Sequence, residues 1–333
     1  MNKLKTKAQL PQTIVMPRLY VMMFSGGRTS AVLAKHIKEN PDKYPNVIYV
    51  FLNTGKEDEK TLQFVDKCDK EWGLGVLYLE ASVNYEKGKG TTYKIVDFET
   101  ASRNGEPFEA MLKKYPLPNN KASNCTRELK QRPIDSYLKD LQELNSFKEF
   151  AFKINSRIRN NYFENKLWKT GRLYKYFLRK KIKSSLEIVR VIGIRADEAH
   201  RKSVNAEVEK VIYPLCDEIP FNERMVREFW SKQSFDLGLK DYQGNCDLCF
   251  KKSLKKRLTI IKENPESAKW WLEMEQKYSS EEIPRFDLRT NKSIEELVEM
   301  AQRPFTKAED LHELSKQQCD LFEIESDCFC KAS

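Results

Sequence analysis

Histidine is nearly missing from this chain. Only His36, His200 and His312 occur in 333 residues, and no two share a spacing suited to one metal ion. A histidine-built zinc centre is therefore disfavoured. No apolar run is longer than a strand, which excludes a membrane-spanning helix. The first nine residues are polar and basic and contain no apolar stretch, so no export leader is expected and the chain is expected in the cytoplasm. The glycine turn at residues 26–27 is not closed by Gly-Lys-Ser/Thr, so it is not a Walker A loop. No internal repeat or low-complexity tract occurs.

Apolar residues make up 40% and charged residues 32%, the balance of a globular protein with a substantial core. Thiols stay reduced in the cytoplasm, so the eight cysteines read as metal, cluster or reactive positions before disulfides. Cys68, on a predicted helix, reads instead as a small core residue.

Four apolar, β-branched-rich runs at 19–24, 47–52, 75–79 and 188–194 are predicted strands, with helices predicted at 30–40 and 57–72 between the first three. Continuous apolar strands alternating with helices imply an α/β fold: a parallel twisted sheet with flanking helices. Residues 88–124, rich in glycine and proline, read as a long irregular excursion with a short helix near 108–114. From residue 222 onward, helices predicted at 223–231, 248–261, 267–277 and 294–302 form a C-terminal helical cap. The expected division is an α/β domain over 1–220, a cap over 221–318 and a cysteine-containing tail over 319–333.

Ser25, Gly26, Gly27, Arg28, Thr29 and Ser30 empty directly out of the first strand into a helix. Two glycines can turn their N–H groups onto an anion, and the helix start adds its positive end. Asn53, Thr54, Gly55, Lys56 and Glu57 follow the second strand, where a polar turn can face a nucleotide. The same Thr54 and Glu57 also have the spacing of a helix capping box. Gly193, Arg195, Asp197 and Glu198 close the fourth strand. Arg195 suits phosphate, and the two carboxylates suit magnesium, although a surface ion-pair cluster has the same composition. All three blocks land beyond strand ends, where ligands of such sheets gather.

These blocks, together with Asn124-Cys125-Thr126-Arg127-Glu128-Leu129-Lys130 and Gly244-Asn245-Cys246-Asp247-Leu248-Cys249-Phe250, resemble in order the phosphoadenosine phosphosulfate (PAPS) reductase family of the PP-loop ATP pyrophosphatase superfamily. The resemblance is to the branch common in phages and mobile elements. It implies a PP-loop fold, an adenine nucleotide such as ATP at residues 25–30 with Mg2+, and sulfur chemistry. Pyrophosphatase members usually carry an acidic residue where Thr29 stands, so Asp197 or Glu198 would have to serve. PAPS reductases use a C-terminal catalytic cysteine in Glu-Cys-Gly-Leu-His. Here Asp327 precedes Cys328, Cys330 follows, and the Gly-Leu-His is absent.

Cys246 and Cys249 form a C-x-x-C at the start of a predicted helix, and Cys125 opens another. Three thiolates suit a [4Fe–4S] cluster, and Cys216 is the spare fourth ligand that structural Zn2+ would require. A redox pair is the remaining alternative. The segment 147–185 is a basic insert. Between residues 148 and 183 stand twelve Lys or Arg, two Glu and eight aromatics, which accounts for the whole net charge of +10. Cations with interleaved rings suit tRNA or DNA. A solvated amphipathic helix has the same pattern. The expected activities are ATP-dependent adenylation and thiolation of a nucleic acid, fed by a sulfur donor, or reduction of a sulfonucleotide with an electron donor protein. A nucleotide-sensing nucleic-acid-binding module is the non-enzymatic alternative.

Overall fold

The first strand, β1 (Arg18–Phe24), alternates little: Leu19, Val21, Met22 and Phe24 are all buried, as a strand covered on both faces requires. It is followed by helix α1 (Arg28–Glu39), β2 (Val47–Asn53), α2 (Glu59–Trp72), β3 (Leu77–Ser82), β4 (Thr92–Val96), α3 (Glu106–Leu112), β5 (Glu187–Ile192) and β6 (Val211–Ile212). The structure, a computed structural model, describes residues 18–154 and 186–310 apart from 87 and 245. Most of the basic insert and the tail cysteines Cys328 and Cys330 lie outside the described residues.

The six strands form one sheet in the order β4-β3-β2-β1-β5-β6. β1 with β2, β2 with β3, and β5 with β6 are parallel, and β4 runs antiparallel to β3. The chain leaves β1 toward β3 on one side and returns to β5 on the other. The carboxyl ends of β1 and β5 therefore flank a topological switch point, where a crevice opens in this class of sheet.

By contacts the chain divides into two compact units, Met1–Leu19 with Lys139–Ile188, and Tyr20–Leu138 with Val189–Ser333. In the first unit, Arg18 Nε donates to Glu187 Oε2 at 2.8 Å. The second unit holds the rest of the sheet and the C-terminal helices Glu223–Ser231, Leu254–Glu263, Lys269–Tyr278 and Ile294–Gln302. It has two main cores. One packs α1 and α2 on the strands through Leu33, Ile37, Leu62 and Phe51, with Cys68 fully buried among them. The other gathers Phe108, Leu129, Ile261, Trp271, Phe286 and Leu297.

Three expectations change. Residues 88–124 are not irregular throughout, because β4 pairs with β3 there. β4 reads weakly as a strand because it is an exposed edge. Helix α2 is capped by Asp58, whose side chain accepts from Lys60 N–H, not by a box on Thr54. Cys246 pairs with Glu57 in an isolated bridge and Cys249 is irregular, with a turn between them, and the next helix starts only at Leu254 behind its cap Ser253. No helix among the described residues is long and apolar enough to cross a membrane.

Candidate functional site

A cavity of about 470 Å³ opens at the switch point, lined by all six residues of 25–30 and by Gly193, Arg195 and Glu198. The two loop glycines do different work. Gly26 has φ +75°, and a Cβ there would stand 2.5 Å from Thr61 Cγ2, so the turn admits only glycine. Gly27 has an ordinary φ of −97° and caps α1 without any side-chain hydrogen bond. A Cβ at Gly27 would meet nothing nearer than Ser25 Oγ at 3.7 Å. Ser25 Oγ donates to Ser30 Oγ, and Ser30 Oγ to Gly27 O, each at 2.9 Å. The first turn of α1 carries no acidic residue and no side-chain cap, so no carboxylate of that turn offsets the positive end of the helix. Gly193 lets β5 approach this helix start, since a Cβ would come within 3.3 Å of Ser30 Cα.

The charges around this cavity are arranged by the C-terminal part of the chain. Arg28 turns away from the loop into a bidentate pair with Asp236, at 2.7 and 2.6 Å, so it anchors the loop. Trp230 Nε1 donates to Arg28 O at 3.1 Å. Arg195 stands among Asp197 at 3.0 Å, Glu198 at 3.7 Å and Glu223 at 3.8 Å. Its hydrogen bond holds the Asp197 carboxyl below the usual range. Asp197 is not on the cavity wall, whereas Glu198, Glu223 and Asp241 are. Thr29 lines the cavity without a carboxylate.

The block after β2 faces elsewhere. Asn53 is fully buried and its amide donates to Glu80 Oε1 and Ser102 O. Gly55, at φ +78°, sits against Gly105 and Pro107. The Lys56 ammonium pairs with Asp247 at 3.1 Å and lies over the Trp270 ring. Thr54 N–H and Oγ1 both donate to Glu57 Oε2 at 2.8 Å, while Glu57 Oε1 is buried without a hydrogen-bond partner, 3.9 Å from Lys130 Nζ. None of these five residues lines the first cavity, and Thr54 lines a second.

That second cavity, about 610 Å³, brings Cys125, Cys246 and Cys249 together beside Lys130. The C-x-x-C turn is docked on the sheet edge: Asp247 N–H donates to Lys56 O at 3.0 Å, and Trp271 Nε1 to Asp247 Oδ1 at 2.6 Å. Thr54 Oγ1 lies 3.4 Å from Cys246 Sγ. Burial pushes the Cys246 and Cys125 thiols up, helped by Glu57 beside Cys246 and by Cys249 beside Cys125. Lys130 stands on a π-helical turn, Arg127–Gln131, a local distortion that is frequent at functional sites. The two cavities share Arg201, Asp241 and Gln243.

Cys216 is separate from this set. Its thiol donates to the carbonyls of Ile194 and Arg195, at 3.2 and 3.0 Å, and so braces the strand end behind the first cavity. Among the described residues no group of three or more His, Cys, Asp or Glu is arranged to hold a metal ion. The thiols as placed therefore do not fit a ready cluster or zinc site. Sequence reasoning missed Lys130 as a site residue, although it stands in the same block as Cys125. It also missed Arg227, Asp236, Asp241 and Gln243, which arrive from a region without a motif.

No solved structure matches the chain. The phosphoadenosine phosphosulfate reductase domain matches residues 19–211. The uncharacterized nin region protein ORF290 of Escherichia phage lambda is 30% identical over 239 residues, which is 71% of this chain and 67% of that protein. The chain belongs to the phosphoadenosine phosphosulfate reductase family, in its phage-type branch.

Proposed function

We propose that this family member binds an adenine nucleotide in the first cavity, with phosphates against residues 25–30, and transfers sulfur at the second. The observation that carries this reading is the common wall: Arg201, Asp241 and Gln243 line both the phosphate loop's cavity and the cavity of three thiols. In the favoured reaction an acceptor oxygen attacks the α-phosphorus of ATP and pyrophosphate leaves. Sulfur from a donor then displaces AMP from the adenylated position. The open N–H groups of α1 and the Arg195 guanidinium are the groups that would offset the phosphate charge. Glu198 and Glu223, on the wall, would hold magnesium arriving with ATP, which would neutralise phosphate oxygens.

Cys125, Cys246 and Cys249 are the proposed sulfur-handling groups. Nucleic acid is the proposed acceptor, supported by the twelve cations and eight aromatics of residues 148–183. One observation favours the second reading, sulfonucleotide reduction by Cys328 or Cys330. Asp241 N–H donates to Asp310 Oδ1 at 3.3 Å, so the described chain ends beside a residue of both cavities. The eighteen residues from Asp310 to Cys328 can span up to about 60 Å.

The deciding experiment incubates the full chain with ATP and tRNA, and separately with PAPS and a dithiol. Pyrophosphate release dependent on tRNA supports the first reading, and sulfite release lost in Cys328→Ser supports the second. Absence of binding of ATP, AMP and PAPS by calorimetry refutes both.

A further inference from the structure

Beyond the nucleotide loop and the thiols, one wall of the second cavity carries positive charge that no carboxylate among the described residues pairs. Lys251, Lys252 and Lys256 all line it. Among the described residues Lys251 Nζ donates to Thr126 Oγ1, at 3.3 Å, and Lys252 Nζ to the carbonyl of Gly244. Among the described residues none of the three has a carboxylate within ion-pair distance. The neighbouring acids are already engaged: Asp247 with Lys56, Glu57 with Lys130, and Asp241 with Arg28 and Arg227.

The position of these lysines works against local stability. Helix Leu254–Glu263 begins at Ser253, itself on the cavity wall, and its first turn holds no acidic residue. Lysines 255 and 256 instead stand at the positive end of the helix dipole, where cations are unfavourable. A local rule broken without internal compensation is expected where a ligand supplies the missing charge.

We propose that Lys251, Lys252 and Lys256 bind a phosphate group of the molecule that reacts at the three thiols. The phosphate is either a second phosphate of the bound nucleotide or a phosphodiester of the acceptor. The placement rests on reading the two cavities as one reaction site. The lysine wall itself requires only an oxyanion.

The test compares the full-length protein with the double variant Lys251→Gln, Lys256→Gln, which spares the more buried Lys252. Calorimetry uses AMP, adenosine 3′,5′-bisphosphate and a short oligothymidylate as probes. A selective loss of about tenfold or more for the bisphosphate, with AMP unchanged, places the phosphate on the nucleotide. A selective loss for the oligothymidylate places it on the acceptor. In that case the slope of log affinity against log salt falls in magnitude by about 1.4, roughly 0.7 per lost contact. The Lys→Arg pair should retain binding. Unchanged affinity for every probe overturns the proposal. So does a parallel loss that includes AMP, or a wild-type protein that binds neither larger probe. If AMP fails to bind the wild type while oligothymidylate binding drops in the variant, the nucleotide reading fails and the lysine site stands.

Discussion

Two adjacent glycines in the phosphate loop should respond oppositely to substitution, and the contrast tests the site directly. At Gly27 the backbone is ordinary and a Cβ meets only Ser25 Oγ at 3.7 Å, so Gly27→Val should fold normally. Its methyl groups would fill the space in front of the α1 N–H groups. Losing one charge-assisted hydrogen bond costs about 1.5–3 kcal/mol, or about 10–150-fold in affinity. At Gly26 the φ of +75° costs an alanine about 1–2 kcal/mol, and the 2.5 Å approach to Thr61 Cγ2 adds about 1–3 kcal/mol of overpacking. Gly26→Ala should therefore unfold at clearly lower denaturant. The assay pairs urea unfolding with ATP calorimetry on both variants. Unchanged ATP affinity in Gly27→Val, or wild-type stability in Gly26→Ala, would refute the assignment of one glycine to the ligand and the other to the fold.

Arg195→Gln should weaken ATP binding by about 10–150-fold, since it removes a charged donor from the cavity wall, and calorimetry checks it. Asp287→Asn should lower stability by about 3–5 kcal/mol in urea unfolding, because Arg257 would be left buried without its partner. Burial opposes the charge on Asp287, but Arg257 and the Arg289 N–H outweigh it and hold the carboxyl below its ordinary value of 3.8. The stabilisation is thus complete above that value and lost as pH falls through the lower folded one, and the acid limb should flatten in the variant. Reversing Arg157, Arg159, Lys180 and Lys181 to glutamate should abolish salt-sensitive tRNA retention in a gel shift while leaving ATP affinity intact. Thiol titration of the anaerobic protein, without prior chelation, should count three fewer groups when Cys125, Cys246 and Cys249 are all changed to serine. Stoichiometric iron and sulfide, lost in Cys246→Ser, would mean instead that the thiols rearrange around a cluster.

Strand ends were legible because two signals coincide there. A run such as residues 47–52 of β2 is apolar throughout, and the polar residues that follow it must leave the sheet at one edge. That logic placed residues 25–30 and 193–195 beyond the ends of β1 and β5, and the structure brings both segments to the wall of one cavity. One strand over, residues 53–57 do not line that cavity, because facing the sheet edge does not decide which neighbour covers it. Here the C-x-x-C turn docks on Lys56 and Glu57, and Asp247 takes the lysine that a phosphate would have used. A motif fixes an address on the sheet, whereas its occupant depends on chain arriving from nearly two hundred residues away. The same reasoning explains Arg28. Its place in the loop suggested a phosphate ligand, but Asp236 carries no motif and captures it. Arg195 also holds Asp197 at two points, but at 3.0 and 3.1 Å, and meets Glu198 and Glu223 only at 3.7 and 3.8 Å, so it is the better-placed cation to exchange its partners for a nucleotide. The shorter Arg28–Asp236 pair, at 2.6 Å between two largely buried side chains, must be broken before Arg28 can move, whereas Asp197, the closest partner of Arg195, is already partly exposed to water. The phosphate should therefore recruit Arg195 first, and an Asp236→Asn change should loosen the loop without adding a phosphate contact.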